Sequence, residues 1–274
     1  MASATVVIAF YNKIDYLKLV LAGFDQQSFK DFEIIIADDG SKPEIVEELE
    51  SIINQSSIKM LHIWQEDKGF RKNKILNEAV RSADSDYLIF IDGDCIPHTE
   101  FIREHFENRI KRTCLTGRRV NLSKKMTDSL TVEKVKEKFL EKDFSKLIID
   151  GLFGKSFDVE RGFYFRSDFF RRLFNRKKRG LLGCNFSLYK EDILSINGFD
   201  ERYEAASIGE DTDIQFRLEL DGQTIKPLVN IAVQYHLHHK LLPRARQNLV
   251  LFENVKKEGI SYTPCGIIRQ KPQN

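Results

Sequence analysis

Hydrophobic residues in the N-terminal part of the chain alternate between continuous runs and helical spacings. Apolar runs predict strands at 5–10, 32–37, 58–64 and 87–91, and the continuous run at 87–91 predicts burial on both faces. Apolar residues at helical spacing predict the helices between them at 15–26, 43–53 and 74–82. Strands that alternate with helices form βαβ units, so this part of the chain predicts a parallel sheet.

The rest of the chain has a different pattern. Residues 121–148 are charged with helical spacing, which predicts a solvated amphipathic helix. An apolar run predicts a last strand at 228–235, and helical spacing returns at 214–220 and 244–258.

These elements predict one α/β domain over 1–243 with a mixed, mostly parallel central sheet flanked by helices. A helical insertion is expected at about 121–180, and a C-terminal helix and tail at 244–274.

The composition narrows the class of protein. Of the 274 residues, 42% are hydrophobic, and Lys+Arg (43) nearly cancel Asp+Glu (41), which argues against a global nucleic-acid footprint. The four cysteines are scattered, without the spacing of a zinc site or a disulfide framework, so a reducing compartment is expected. No signal peptide and no apolar segment of about 20 residues is evident, which predicts a cytoplasmic protein.

Two predicted strands end in acidic turns that contain glycine. The strand at 32–37 continues into Asp38-Asp39-Gly40, and the strand at 87–91 continues into Asp92-Gly93-Asp94. Ligands of open α/β sheets bind beyond the carboxyl ends of the strands. Paired carboxylates suit Mg²⁺ or Mn²⁺, which in turn suits a diphosphate. Acidic turns without a ligand are the alternative, but two at one sheet edge favour a shared ligand.

Residues 161–180 interleave Arg and Lys with Phe and Tyr, and Asp168 is the only acid. This pattern fits a peripheral membrane contact or a surface for an anionic acceptor. The alternative is a helix whose aromatic residues pack inward while its basic residues are simply solvated. The basic cluster at 176–179 favours surface recognition, and one such patch is weak evidence for nucleic-acid binding.

Taken in order, the motifs resemble the family 2 glycosyltransferases of GT-A fold, which use nucleotide sugars and are mostly inverting. The resemblance covers roughly 3–240 and is closest to the bacterial branch that builds lipopolysaccharide, capsule and other surface glycans. It is carried by IAFYN at 8–12, ADDGS at 37–41, EDKGFRKNK at 66–74, DGD at 92–94, GFD at 198–200, GED at 209–211 and HLH at 236–238.

The resemblance implies a nucleotide-sugar site and a metal site. Asp38 or Asp39 would hydrogen-bond the base or ribose of a UDP-sugar, and Asp92 would face the ribose or sugar. The implied nucleotide-sugar residues are Phe10, Asn12, Asp38, Asp39, Lys68, Arg71, Lys72, Asp92 and Gly93. Asp94 would hold Mn²⁺ or Mg²⁺, with a further ligand from His236 or, in reserve, His238.

The resemblance also implies Asp211 as the base that removes a proton from the acceptor hydroxyl, with Glu210 binding acceptor hydroxyls. The alternative is that Glu210, Asp211 and Asp213 only cap a helix. The expected reaction transfers a hexose or N-acetylhexosamine to a glycan or lipid-linked glycan acceptor with inversion. Many relatives place an aromatic residue and a second glycine before the acidic pair, whereas this chain reads YEAASIG at 203–209, so the acceptor stays open.

Three other classes of protein fit the sequence less well. A sugar-phosphate nucleotidyltransferase would carry a glycine-rich basic loop where this chain has Tyr11-Asn12-Lys13, and a haloacid-dehalogenase-like phosphatase would need an acid on the first strand. A catalytically silent sugar-nucleotide-binding subunit is disfavoured by the intact acids at 92, 94, 210 and 211.

Overall fold

The computed structural model describes residues 2–205, 210–240 and 246–268. The strands in these ranges are β1 (Ala4–Phe10), β2 (Phe32–Asp38), β3 (Met60–Trp64), β4 (Tyr87–Asp92), β5 (Cys95–Pro97), β6 (Thr113–Thr116), β7 (Arg118–Asn121), β8 (Asn185–Tyr189), β9 (Thr224–Pro227) and β10 (Val233–His236). The helices are α1 (Ile14–Asp25), α2 (Pro43–Gln55), α3 (Lys72–Ser82), α4 (Phe101–Glu107), α5 (Lys124–Asp128), α6 (Val132–Lys136), α7 (Phe139–Lys142), α8 (Phe144–Phe153), α9 (Asp168–Phe174), α10 (Lys190–Leu194), α11 (Glu210–Leu220) and α12 (Arg246–Glu258). A 3-10 turn occupies Val159–Gly162.

Most of the described strands form one sheet with the order β3-β2-β1-β4-β8-β6-β9. β1 is parallel to β2 and β4, and β2 is parallel to β3. β8 is antiparallel to β4 and β6, and β6 is parallel to β9. The predicted α/β fold with a mostly parallel central sheet is therefore confirmed.

Both faces of the central strands are covered, which explains their continuous apolar runs. Val6 and Ile8 of β1 pack into a core that includes residues of α1 and α2. Val7, between them, points to the opposite face and a core that includes residues of α3 and α11. The elements predicted up to residue 91 are confirmed to within about two residues at each end.

A second, three-stranded sheet has the order β5-β10-β7. β10 runs antiparallel to β5 and parallel to β7, with His236 opposite Cys95 and Asn121. Because Asp94 directly precedes Cys95, this register brings the end of β10 beside the acidic turn after β4.

The single helix predicted at 121–148 is wrong, because four short helices follow β7 instead. The Ser123 side chain accepts a hydrogen bond from Met126 N at 3.0 Å, and Thr131 accepts one from Lys134 N at 3.3 Å, so each begins a new helix. Lys138 has a φ of 62°, which interrupts the helical path again.

The predicted strand at 228–235 is also shorter than expected and begins at Val233. Asn230 has a φ of 59°, which is incompatible with a continuous strand through 228–232. Near the C-terminus, α12 packs on α11 through Phe216 and Phe252, whose ring centroids are 5.9 Å apart. The division at 243/244 stays a prediction. In the part of the chain that the structure describes, every helix is too short or too polar to cross a membrane.

A buried ion pair lies within α11, between residues four positions apart on the same side of the helix. Arg217 and Asp213 are each only 1% exposed at their side chains, with Arg217 Nη2 2.7 Å from Asp213 Oδ2. We expect Arg217→Met to lower the free energy of unfolding by about 3–5 kcal/mol, because it leaves a buried carboxylate without its partner. Arg112→Met, which removes a more exposed pair with Asp221, should cost at most about 1 kcal/mol. Urea unfolding of both variants measures the difference, and equal costs would contradict it.

Candidate active site

A cavity of about 370 Å³ opens at the carboxyl ends of β1, β2 and β4. Parallel strands deliver their following loops to the same sheet edge, so residues distant in sequence meet there. Among the residues expected to bind a nucleotide sugar or metal, those that line this cavity are Phe10, Asp39, Lys72, Asp92, Gly93 and Asp94.

The two acids after β2 have different environments. Asp38 is fully buried, accepts a hydrogen bond from Ser41 N at 2.8 Å and contacts His62 Nε2 at 3.0 Å. Asp39 lines the cavity, and its carboxylate accepts a hydrogen bond from Arg71 N at 2.8 Å. Burial raises the pKa of Asp39 although this hydrogen bond opposes the shift. Asp39 is therefore placed to meet a ligand, whereas Asp38 holds the loop.

Three other residues expected at the nucleotide-sugar site are not among the residues that line the cavity. Asn12 joins two loops, since its N donates to Ser41 Oγ at 2.7 Å and its Oδ1 accepts from Lys42 N at 2.9 Å. Lys68 is exposed and pairs with Glu66 at 2.7 Å. Arg71 acts through its backbone on Asp39, and its guanidinium donates to Glu66 O. Neighbouring loop groups thus contact all three residues, and their roles in nucleotide-sugar binding stay predictions.

Lys72 and Asp92 form an ion pair within the cavity, with Lys72 Nζ 2.8 Å from Asp92 Oδ1. Next to them, Gly93 N donates to Ala9 O at 2.8 Å. A Cβ at Gly93 would lie 3.1 Å from Ala9 O and 3.4 Å from Phe10 Cδ2. Glycine therefore lets the loop after β4 lie against β1, which keeps the acids on either side at the cavity wall.

Asp94, His236 and His239 form a cluster whose nearest ligand atoms all lie within 4.8 Å of one another. His239 Nε2 is 3.0 Å from Asp94 Oδ2, and His236 Nε2 is 3.6 Å from Asp94 Oδ1. Burial raises the pKa of Asp94, but the His239 hydrogen bond and both imidazoles outweigh it and lower the pKa to about 2. Burial lowers the pKa of His236 to about 4, and the hydrogen bond to Asp94 raises the pKa of His239.

His238, the reserve ligand, is not part of this cluster of described residues, whose second histidine is His239. β10 ends at His236, so the alternation that would direct 236 and 238 to one side stops there. His238 N donates to Thr127 Oγ1 and its carbonyl accepts from Tyr16 Oη, both at 2.8 Å, and its side chain is exposed. The histidine-rich run at 236–239 was the available signal for His239.

Asp211 lies in the first turn of α11 and is half-buried. Its Oδ1 accepts from Thr212 N at 2.7 Å, which fits the capping interpretation, and its Oδ2 accepts from Gly183 N at 3.4 Å. The next residue, Cys184, accepts at Sγ from Gln234 Nε2 at 3.1 Å, and Gln234 lies on β10 two residues before His236. This chain of contacts links Asp211 to β10, the strand that carries His236. The side chain of Glu210 lies outside the described residues.

The cavity is also lined by residues that the sequence did not single out, among them Tyr11, Asp67 and Phe70. Tyr11 Oη donates to Asp67 Oδ2 at 2.9 Å, joining the loop after β1 to the segment before α3. That segment packs on Gly40, whose φ is 97° and where a Cβ would lie 2.6 Å from Asp67 N. All three lie inside or beside motifs that were recognised, but their contacts are not readable from spacing.

Two family models match the chain. The glycosyl transferase family 2 model matches residues 5–174, more than half of the chain. The chain belongs to glycosyltransferase family 2. A second model, described as the N-terminal domain of galactosyltransferase, matches residues 167–240, which include α11, His236 and His239.

This family 2 chain has bacterial relatives. The chondroitin synthase of Escherichia coli is 26% identical over 243 residues, which cover 85% of this chain and 34% of that protein. The Bacillus subtilis glycosyltransferase YfnE is 27% identical over 265 residues, which cover 86% of this chain and 65% of that protein. The chain thus spans about a third of the first relative and just under two thirds of the second.

Solved structures share the fold. Residues 1–349 of Staphylococcus aureus TarS in complex with UDP-GlcNAc superpose with a TM-score of 0.59 at 14% identity, covering 93% of this chain and 66% of that one. The same TarS fragment in complex with UDP superposes with a TM-score of 0.53 at 15% identity, covering 85% and 60%. These family 2 and TarS matches confirm the expected GT-A fold.

Proposed function

We propose that this chain transfers a hexose or N-acetylhexosamine from a UDP-sugar to a glycan or lipid-linked glycan acceptor with inversion. The observation that carries the proposal is that Asp39 after β2, Lys72 at the start of α3, and Asp92 and Asp94 at the end of β4 converge on one cavity. The uridine choice is supported by TarS, which shares the fold and is known in complexes with UDP and UDP-GlcNAc.

In this proposal different cavity residues bind different parts of the donor. The Asp39 carboxylate keeps lone pairs beyond its hydrogen bond from Arg71 N, and these accept from the base or ribose. Lys72 places a positive charge in the cavity wall beside Asp92, and this charge suits a diphosphate. Asp92 then faces the ribose or the transferred sugar.

The Asp94, His236 and His239 donor set fits a single divalent cation. One carboxylate and two imidazoles suit Mn²⁺ better than Mg²⁺, which prefers oxygen ligands. When bound, the cation supplies charge neutralisation of the leaving diphosphate, so the chain needs no general acid there. Of the two cations expected from the sequence, we therefore propose Mn²⁺.

Asp211 is the proposed base. Inversion requires a group that accepts the acceptor hydroxyl proton as the oxygen attacks the anomeric carbon. The hydrogen bonds from Gly183 N and Thr212 N fix the orientation of the Asp211 carboxylate and leave further lone pairs for that proton. The acceptor-binding role of Glu210 remains part of the proposal.

The two alternative functions can be distinguished from the proposed sugar transfer. Membership of glycosyltransferase family 2 sets aside the sugar-phosphate nucleotidyltransferase. A catalytically silent subunit would bind a UDP-sugar without transferring it, which a transfer assay distinguishes.

Transfer is tested by incubating the chain with Mn²⁺, UDP-sugars and soluble or lipid-linked oligosaccharides, followed by NMR of the product's anomeric proton. A β-linked product from the α-linked donor is expected. An α-linked product would contradict inversion, and donor binding without transfer to any acceptor would favour the silent subunit.

The histidine assignment gives a paired prediction. His239→Ala removes a proposed ligand, so we expect Mn²⁺ affinity to fall about tenfold or more, whereas His238→Ala should leave it unchanged. Electron paramagnetic resonance of free and bound Mn²⁺ measures both. A loss of Mn²⁺ affinity with His238→Ala but not with His239→Ala would identify His238, rather than His239, as the ligand.

A further inference from the structure

Helix α9 and the residues after it have an unusual distribution of side chains. An amphipathic surface helix normally buries its apolar face and exposes its charges. In α9 no residue is buried, and four large apolar side chains are exposed, by 67% at Phe169, 47% at Phe170, 42% at Leu173 and 47% at Phe174. The interpretation that the aromatic residues pack inward is therefore wrong.

Polar contacts, rather than apolar ones, attach α9 to the fold. Arg171 Nη1 donates to the buried Glu104 carboxylate at 2.9 Å, and Tyr164 Oη also donates to Glu104. One turn later, Asn175 exchanges hydrogen bonds with the backbone of Val229, at 3.1 Å from Asn175 Nδ2 to Val229 O and 2.7 Å from Val229 N to Asn175 Oδ1. The inner side of the helix is thus fixed through charge-assisted and amide hydrogen bonds.

Helix geometry then directs the apolar residues outward. Arg171 and Asn175 are four residues apart and share the inner side, while Phe169 and Leu173 lie on the opposite side. The exposed rings contact one another, with centroids 5.5 Å apart for Phe169 and Phe170. Phe165 adds a contact at 4.9 Å with Phe174. The result is a compact apolar surface held on a fixed helix.

Positive charge surrounds this apolar surface. The exposed basic residues are Arg166, Arg172, Arg176, Lys177, Lys178 and Arg179. Against them, Asp168 is the only acid between 161 and 180. Apolar side chains that insert among acyl chains, ringed by cations that meet headgroup phosphates, fit an anionic lipid surface. A soluble anionic glycan would use the cations but leave the phenylalanines exposed.

We propose that the exposed side chains of 166–179, the α9 surface, dock this protein on a bilayer that contains anionic phospholipid. The surface is connected to the candidate site, because Gly180 O accepts from Arg118 Nη2 at 2.7 Å and Gly183 N contacts Asp211. From Phe174 to Gly183 the chain spans at most about 30 Å. Docking would present a lipid-linked acceptor to Asp211, a consequence that rests on the proposed function, whereas the docking itself does not.

Co-sedimentation of the full chain with phosphatidylcholine vesicles, with and without phosphatidylglycerol, tests the proposal. Binding is expected only with phosphatidylglycerol. Phe169→Ser combined with Leu173→Ser should weaken it about tenfold or more, because two apolar side chains no longer enter the bilayer. Arg176→Gln combined with Lys178→Gln should weaken it about 30-fold at low salt, given the contribution of each cation near an anionic surface.

Leu249→Ser combined with Val250→Ser is the matched control, since both are exposed apolar residues on α12. It should bind vesicles like the wild type. UDP-sugar binding should be unchanged in all variants, which separates failed docking from failed folding and from failure of the proposed function. The docking proposal is overturned if the protein binds neutral vesicles as well as anionic ones, or if it binds no vesicles. It is also overturned if the protein binds a soluble anionic polysaccharide and the Phe169→Ser and Leu173→Ser changes do not weaken that binding.

Discussion

Asp94→Ala should abolish Mn²⁺-dependent binding of the UDP-sugar, lowering donor affinity by about 100-fold or more. Asp94 contributes the only carboxylate of the described cluster, and His236 and His239 are oriented around it at 3.6 and 3.0 Å. Losing a ligand costs at least as much as losing a group that merely orients one, which is about 10–100-fold in metal affinity. The diphosphate would then keep Lys72 but lose the cation.

Calorimetric titration of the donor with and without Mn²⁺ measures this effect. Asp86→Ala, an exposed acid at the opposite end of β4, is the matched control and should bind like the wild type. If Asp94→Ala binds the donor as tightly as Asp86→Ala in the presence of Mn²⁺, the cluster is not the metal site.

The second large effect is expected for Asp211→Asn, which should lower kcat by about 10²–10⁴-fold and leave UDP-sugar affinity unchanged. Asparagine retains an oxygen that accepts from Thr212 N, so α11 keeps its first turn. What it loses is a carboxylate able to accept a proton. The measurement is steady-state transfer together with donor titration on the same preparation.

A matched control for this substitution lies on the same helix. Glu219→Gln changes an exposed acid two turns further along α11 and should keep normal turnover. Should Asp211→Asn lower only the melting temperature and leave kcat intact, Asp211 would be a capping residue and the base would lie elsewhere.

The sequence was sufficient for the elements that local pattern determines. Strands β1 to β4 and the helices between them follow from apolar runs and helical spacing. β5, β6, β7 and β9 were not recognised because each has only three or four residues and is stabilised by pairing with distant strands. Such short segments carry no readable period, so the second sheet could not be predicted.

The candidate site divides in the same way. Asp92, Gly93 and Asp94 were predicted from one stretch, and the cavity lies there. The choice between Asp38 and Asp39 depends on Ser41, His62 and the Arg71 backbone, whose contacts spacing does not reveal.

The choice between His238 and His239 likewise depends on distant residues. Tyr16 and Thr127 hold the backbone of His238 from more than 100 positions away, and so leave His239 to face Asp94. The outward aromatic residues of α9 depend on Glu104 in the same manner.

The proposed function depends on a metal-dependent UDP-sugar site at the carboxyl ends of β1, β2 and β4. Calorimetric titration of the wild-type chain with UDP-, GDP-, ADP- and dTDP-sugars, each with and without Mn²⁺, tests it most directly. We expect that a UDP-sugar binds and that its binding requires Mn²⁺. Preference for another nucleotide, equal binding without the metal, or no binding of any nucleotide sugar would contradict it.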